Sequence, residues 1–571
     1  MTATNNIKLP HLRRAGNGWE LVVDDKPYLI LGAELQNSSM SSARHMDTVW
    51  QKLKDMNINT VLGNVCWEDI ERNEDQFDFS ELDKILVAAR SYGFRVILLW
   101  FGSFKNGMSS YVPSWVKTNP RRFPRMQCRQ SNGSLVPSSN ISVFHEECVQ
   151  ADAKAFTKLM QHLGERDLEH TVIMVQVQNE VGLLGDSRDA SFTAENIFRS
   201  PVPPELVNFL ATQWDSLLPD LKHSFPVFSR SIPQLLQHQQ PGSWEECFGS
   251  SVYTDELFMA YHYCLYVEKI AAAGKQAHRI PLFTNVWLPK PGIGAGLGNA
   301  IAAGGNLPGE YPSGGPTCTV LDVWLRFAPT LDLIAPDIYS ADYTVTCQAY
   351  SRSGQPLLIP EQRRDDYGAR RLWEALGTHG ALGACPFGID TIEAQSSPYT
   401  KHYRLLNSVQ SIIITARQGA LRTIGFFFDE FEGDGADNTP PKRLAFTHYD
   451  LFVSRAFVLG RPGPGHGMII ELEPARYLLI GEGFKVEFKS TSRTSAFTGI
   501  IHFEEKSVDP ASGSLRTERR LNGDETRSGK WANMPVENPD YGEGFIPLTV
   551  PAGTMIAEVM VYSLEQEDII N

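Results

Sequence analysis

The stretch Val172-Ile173-Met174-Val175-Gln176-Val177, running into Gln178-Asn179-Glu180, decides how this chain is read. A run of that length bounded by polar residues reads as a strand buried on both faces of a parallel sheet. Glu180 then sits at the strand's carboxyl end beside an amide. In a (β/α)8 barrel the active site is built from the carboxyl ends of the strands, so an acid there is a catalytic candidate on geometric grounds. A second acid follows far down the chain, where Leu357-Leu358-Ile359-Pro360 delivers Glu361 into the polar loop Gln362-Arg363-Arg364-Asp365-Asp366.

Outward from these runs, the first two-thirds of the chain alternates short apolar segments with longer amphipathic ones, the pattern of βα units around a parallel sheet. Eight segments are candidate barrel strands: Tyr28 to Glu34, Asn59 to Leu62, Arg95 to Trp100, Val172 to Val177, Leu282 to Trp287, Leu333 to Pro336, Leu357 to Glu361 and Ala384 to Ile389. Met46 to Met56 and Leu82 to Tyr92 carry apolar residues at helical spacing, and His402 to Arg417 reads as a further helix. Long insertions follow the third strand (Gly102 to Ser142) and the fifth (Pro289 to Thr317). The second holds Gly292-Ile293-Gly294-Ala295-Gly296-Leu297-Gly298, which lacks the strand-to-helix context of a phosphate site and reads as a barrel-mouth loop. After the apolar run Ile424 to Phe428, short alternating runs separated by turn residues take over, among them Arg476 to Ile480, Phe484 to Phe488, Thr498 to Phe503 and Met555 to Tyr562. The expected architecture is α/β: a (β/α)8 TIM barrel with an N-terminal extension over residues 1–430, then a smaller all-β sandwich or jelly-roll domain over 431–571.

The chain has 571 residues, too many for one ordinary core, with 42% hydrophobic and 21% charged residues, the balance of a soluble globular enzyme. A formal charge of -14 argues against nucleic-acid binding, which demands a basic surface. The N-terminus has no apolar signal-peptide core, and no window approaches the roughly 18 apolar residues of a membrane span. Eight scattered cysteines without a C-x-x-C pair read as buried free thiols. These features point to a cytoplasmic protein and leave room for a homo-oligomer. The 14 histidines show no metal-ligand spacing and no Gly-x-Ser-x-Gly elbow occurs, so neither a metal, a cofactor nor a serine nucleophile is expected.

Two carboxyl groups on two strand ends suit glycoside hydrolysis. The bond breaks when one carboxyl protonates the leaving oxygen and the other faces the developing oxocarbenium ion, so the two must hold different protonation states. Glu180 is the expected acid/base and Glu361 the expected nucleophile, with Asn179 placed to bond a sugar hydroxyl and Arg363 and Arg364 placed to keep Glu361 charged. A sugar site also needs rings for the apolar face of a pyranose. Trp67, Trp100, Trp287 and Tyr339 all fall at or just past strand ends, accompanied by Asn285, Asp337 and Glu34 as hydroxyl partners. A single aromatic is more often core than platform; their shared position is what groups them.

Several motifs resemble glycoside hydrolase family 35, within the clan of retaining barrel glycosidases that includes the β-galactosidases, and especially its branch with a DUF5597-type C-terminal region. They are Gly32-Ala33-Glu34-Leu35-Gln36, Val65-Cys66-Trp67-Glu68 followed by Phe77-Asp78-Phe79, and Val112-Pro113-Ser114-Trp115-Val116, besides the Asn179-Glu180 pair. The likeness spans most of residues 20 to 430 and adds Glu68 to the substrate-binding candidates. Two family elements are altered, to Glu68-Asp69-Ile70 and to Phe101-Gly102-Ser103-Phe104-Lys105-Asn106-Gly107, where better-known members line the sugar subsite. The resemblance implies a retaining exo-acting β-galactosidase-like hydrolase of an oligosaccharide or glycoside. The alternatives are a β-glucosidase, a β-1,2-glucan-acting hydrolase or a transglycosylase on the same fold, or a catalytically inactive carbohydrate-binding protein.

Overall fold

The computed structural model describes residues 8–16, 18–235, 241–290, 305–352, 354–430, 437–456, 464–521, 523–536 and 553–570. Eight strands, β1 (Gly32–Glu34), β2 (Thr60–Cys66), β3 (Arg95–Lys105), β4 (Val172–Asn179), β5 (Leu282–Trp287), β6 (Leu333–Asp337), β7 (Ile359–Gln362) and β8 (Ala384–Pro386), form the barrel. β1 to β6 make one parallel sheet in sequence order, and β7 pairs in parallel with β8. Parallel bridges from Ile338 to Gln362 and from Glu34 to Phe387 join the two pieces and close the cylinder. Each strand falls on one of the eight apolar runs. Tyr28 differs from expectation: it ends an antiparallel sheet of His11–Ala15, Gly18–Val23 and Lys26–Tyr28. That sheet caps the amino end of the barrel, where Leu21 and Val23 join the interior cluster and the Tyr28 hydroxyl donates to the Asn59 carbonyl.

Strand alternation sorts the core. On β3, Ile97, Leu99 and Phe101 point into the barrel, whereas Val96, Leu98 and Trp100 point into the helical layer. The helices turn their apolar stripes to that outer surface: Ser80–Tyr92 buries Leu82, Ile85, Leu86 and Ala89 and stops at Gly93, whose φ of 84° is the left-handed turn that ends a helix. Two interruptions of the alternation matter for chemistry. Gln178 and Glu180 adopt φ values of 64° and 44°, left-handed backbone that non-glycine residues rarely hold and that gathers at functional sites. The pairing of β7 with β8 shifts register between Ile359 and Gln362, a bulge that re-aims Glu361.

The β4 turn is anchored from outside by Asp152, which lies on the helix Glu146–Arg166 and is fully buried. Its carboxylate accepts from Trp100 Nε1 (2.8 Å), the Ser103 amide (3.0 Å) and hydroxyl (2.5 Å), and Gln178 Nε2 (2.8 Å). Gln178 Oε1 in turn accepts the Phe104 amide at 2.9 Å, so the ends of β3 and β4 are tied together. Beyond them, the loop after β4 is held to the loop after β5 by Leu183 and Ser313, which exchange backbone hydrogen bonds of 2.9 Å. The segment Gly292 to Gly298 lies outside the described residues.

The expected helix spans Pro398–Gln418, and strand Thr423–Phe427, which contains most of the run Ile424 to Phe428, is already part of the C-terminal sheet, pairing with His466–Glu473. That six-stranded sheet is covered by a four-stranded one, Lys442–Ala445, Tyr449–Arg455, Phe484–Ser490 and Trp531–Met534. Tyr477 and Leu479 face the four-stranded sheet, and Leu478 and Ile480 face the barrel. The six-stranded sheet therefore has both faces buried, and the sandwich covers one side of the barrel. All eight cysteines are free, and seven are buried. Among the described residues no helix is long and apolar enough to cross a membrane.

Replacing Asp152 by alanine leaves the Trp100, Ser103 and Gln178 donors buried without an acceptor. The expected loss is about 3 kcal/mol of unfolding free energy, on the scale of a buried charged hydrogen-bond acceptor removed from its donors. Urea unfolding measures it, and a loss below about 1 kcal/mol contradicts the anchoring role.

Candidate active site

The barrel's carboxyl end gathers Glu34 from β1, Lys105 from β3, Asn179 and Glu180 from β4, Asn285 from β5, Asp337 from β6 with Tyr339 just beyond it, and Glu361 from β7. Glu34, Lys105, Asn179, Glu180, Asn285, Asp337 and Glu361 are all buried. Alternation accounts for most of these positions, since Glu34 follows Ile30 and Gly32, Asn285 follows Phe283, and Asp337 follows Leu333 and Ala335 along inward-facing rows. Asn179 and Glu361 point inward because of the left-handed turn and the bulge.

Hydrogen bonds divide the two catalytic candidates. Glu361 accepts from the Tyr339 hydroxyl at 2.7 Å, from Asn179 Nδ2 at 3.4 Å and from Asn285 Nδ2 at 3.5 Å. The orientation of both amides is fixed by other partners: Lys105 Nζ donates to Asn179 Oδ1 at 2.8 Å, and the Glu180 amide donates to Asn285 Oδ1 at 2.8 Å. Asn285 Nδ2 also donates to Asp337 Oδ2 at 2.7 Å. Three donors converge on Glu361, so its oxygens are held from three sides. Glu180 is different. Burial and the neighbouring Glu361 charge push its carboxyl up to about 7, against the opposing pull of Lys105 and a hydrogen bond with Asp337. It is thus poised to carry a proton near neutrality.

The other acids of the cluster are shifted the same way. Burial, then the charge of Glu361, holds Glu34 and Asp337 well above the usual carboxylate range. Both Glu34 oxygens and Asp337 Oδ1 are buried without a hydrogen-bond partner among the described residues, polar atoms left for the hydroxyl groups of a ligand. Glu180, Asp337 and Glu361 also present oxygens within 4.8 Å of one another, a spacing that could hold a cation. The Lys105 ammonium faces the same carboxyls and brings positive charge from the protein itself.

Of the remaining residues singled out in the sequence, Trp287 is half-buried on the inward row of β5, paired in register with Asp337. Trp67 and Trp100 are not brought to the cluster. Both are fully buried in the outer layer: Trp67 donates to Glu71 at 2.7 Å and packs edge-on against Trp115, and Trp100 donates to Asp152. Strand alternation puts Trp100 on the wrong face by one residue, so neither ring is a platform. Glu68 is half-exposed and ion-paired with Lys117, and its amide donates to the Tyr111 carbonyl. Arg363 turns to Asp365 and Arg364 to the Gly388 carbonyl, so the expected cationic support of Glu361 does not come from them. Lys105 is the cation in their place. The sequence offered one signal for it, the altered Phe101 to Gly107 element at the end of β3.

A closed barrel with an acid on β4 and another on β7, set in unlike environments, has the arrangement that glycoside hydrolysis uses. Residues 38–215 match the model of glycoside hydrolase family 42, described as beta-galactosidase, and residues 399–533 match a domain of unknown function, DUF5597. The family 35 membership implied by the motifs is not supported; the agreement lies at the level of the clan A barrel glycosidases. No curated protein sequence matches. Similar solved structures include the beta-galactosidase of Bacillus circulans sp. alkalophilus, with 15% identity, a TM-score of 0.44, and 67% of this chain and 57% of that chain covered. The catalytic domain of the Paenibacillus polymyxa beta-amylase gives 14% identity and a TM-score of 0.44 over 67% and 98%. The beta-galactosidase of Rahnella sp. R3 gives 14% and 0.42 over 69% and 57%. The chain thus spans a little over half the length of these beta-galactosidases.

A carboxyl whose folded pKa is raised favours the folded state below its unfolded value and loses that contribution as pH rises towards its folded value. Glu180 therefore costs stability increasingly between about pH 4.5 and 7. Glu180→Gln removes that cost. The variant is expected to exceed the parent in unfolding free energy by about 2 kcal/mol at pH 8 and by much less at pH 5. Chemical denaturation at the two pH values reads this directly, and a difference that is absent or larger at pH 5 contradicts the raised pKa.

Proposed function

We propose that this chain is a retaining, exo-acting β-galactosidase that removes terminal non-reducing β-linked galactose from an oligosaccharide or glycoside. The observation that carries the reading is the close approach of Glu180 and Glu361 in unlike environments, with oxygens within 4.8 Å. Retaining glycosidases keep their carboxyls about 5 to 5.5 Å apart, against about 6.5 to 9.5 Å in inverting enzymes, which must fit a water between acid and sugar. The galactoside preference is supported by the description of the matched family.

In the first step Glu361 attacks the anomeric carbon while Glu180 passes its proton to the leaving oxygen, and the glycosidic bond breaks to give a covalent glycosyl-enzyme. Loss of that proton leaves Glu180 as the base that activates water for the second step, after which Glu361 is released and Glu180 is protonated again. Asn179 and Asn285 present Nδ2 groups beside Glu361, suited to a hydroxyl next to the reacting carbon. The unpartnered oxygens of Glu34 and Asp337 accept further sugar hydroxyls, and Trp287 and Tyr339 offer rings at the mouth. In this reading the helix Pro398–Gln418 ends the catalytic unit and the strand Thr423–Phe427 begins the β-sandwich.

Hydrolysis of p-nitrophenyl β-D-galactopyranoside is the test, run beside the β-glucoside and β-galactofuranoside. Galactoside turnover with the β-anomer released first, seen by proton NMR, is expected. Glu361→Gln and Glu180→Gln should each lose at least about 1000-fold in kcat/KM on an oligosaccharide, the scale of losing a member of a catalytic pair. Release of the α-anomer overturns the retaining mechanism, and preferred turnover of another glycoside overturns the sugar assignment.

A further inference from the structure

Lys105 is the feature of the cluster that takes no part in the bond-breaking steps themselves. A lysine is almost never fully buried unless it is paired, and this residue is 4% exposed. It reaches the site through a local irregularity: the pairing of β3 with β4 shifts register between Trp100 and Lys105, and the Lys105 amide bonds the Ser109 carbonyl in the turn that follows. Its ammonium lies 5.0 Å from the Phe101 ring centroid, 2.8 Å from Asn179 Oδ1, and faces carboxyls from four strands.

We propose that Lys105 is a positioning residue for hydrolysis, which locks the Asn179 amide with its donor towards Glu361 and supplies the positive charge that balances the carboxyl groups gathered around it. The proposal rests on the glycosidase reading of this site. Its geometric part follows from hydrogen-bond chemistry. An ammonium can only donate, so the Asn179 atom against it must be the oxygen, and Nδ2 is left to face Glu361. An uncharged acceptor in place of Lys105 lets the amide turn round and present an oxygen to a carboxylate.

The electrostatic part follows from the groups that face the ammonium: Glu34 from β1, Glu180 from β4, Asp337 from β6, Glu361 from β7, and the Tyr111 hydroxyl from the loop after β3. Burial alone pulls an ammonium's pKa down, but the carboxyls, Glu361 first, outweigh it and hold Lys105 charged. The same attraction lowers Glu34 and Glu180 against the burial that raises them. Without it, burial and the neighbouring carboxyl charges act on Glu34 and Glu180 unopposed by Lys105.

The test compares Lys105→Gln and Lys105→Met with Lys105→Arg in two readouts. The first needs no substrate: carboxyl carbon NMR of protein labelled with 13C-glutamate, with Glu180 assigned from Glu180→Gln. The Glu180 titration near pH 7 is expected to move up by about one unit in the uncharged variants and to return in Lys105→Arg. The second is the pH profile of kcat/KM on the best galactoside. Both limbs should move to higher pH, with kcat falling about 100-fold and KM changing little. A Glu180 titration that stays in place in the uncharged variants overturns the proposal, as does a uniform fall in activity with unmoved limbs. If the parent protein turns over no glycoside, the glycosidase reading fails while the titration still decides what Lys105 does. Should one uncharged variant not fold, the other and Lys105→Arg carry the comparison.

Discussion

Four carboxyl groups from β1, β4, β6 and β7 are buried together at one end of a closed barrel, and the balance of charge among them governs everything else at this site. Ionised carboxylates at such separations repel strongly in a medium that water barely enters, so the cluster must hold protons, draw in a cation, or do both. It does both. Lys105 lies among the acids, while Glu34, Asp337 and Glu180 hold protons more tightly than exposed carboxyls do. The outcome is an uneven pair. Glu361 receives donors from Tyr339, Asn179 and Asn285, and Glu180 is left as the group that exchanges a proton near neutrality. A site of this kind costs folding stability, and the rest of the barrel has to over-determine it.

That over-determination is visible at the end of β4. Two residues there, Gln178 and Glu180, hold left-handed backbone with full side chains, and each is fixed by a partner outside its own strand. Gln178 is gripped by Asp152 from the helical layer and by the Phe104 amide from β3; the Glu180 amide is gripped by Asn285 from β5. The strain is thus confined to a turn whose neighbours leave it no alternative. On the opposite side, the bulge in β7 serves the same end for Glu361, at the cost of one register shift.

The fold was legible in the sequence because its signals are local. Each barrel strand is a short apolar run, and eight such runs with amphipathic segments between them admit few other closures. The short alternating segments of the C-terminal region gave the sandwich for the same reason. Less legible was anything that depends on which way a residue faces after an irregularity. Trp100 follows the plain alternation of β3 and turns outward to Asp152, whereas Lys105, only a few residues on, turns inward past a register shift. Trp67 directly follows β2 but bonds Glu71 and packs on Trp115 in the outer layer. Arg363 and Arg364 are next to Glu361 in the chain, but Asp365 and the Gly388 carbonyl claim them. Adjacency in sequence is a weak guide to charge partnership where strands end in loops; Lys105, from another strand altogether, is the cation that matters.

The central claim, that Glu361 is the group which bonds to the sugar carbon, is tested most directly by trapping the bond. A 2-deoxy-2-fluoro-β-galactoside with a dinitrophenolate leaving group slows both steps but leaves the first one faster. Intact-mass measurement of the protein is expected to show one fluorogalactosyl adduct, and peptide mapping to place it on Glu361. An adduct on any other carboxyl, or dinitrophenolate released catalytically with no adduct formed at any stage, would contradict the assignment.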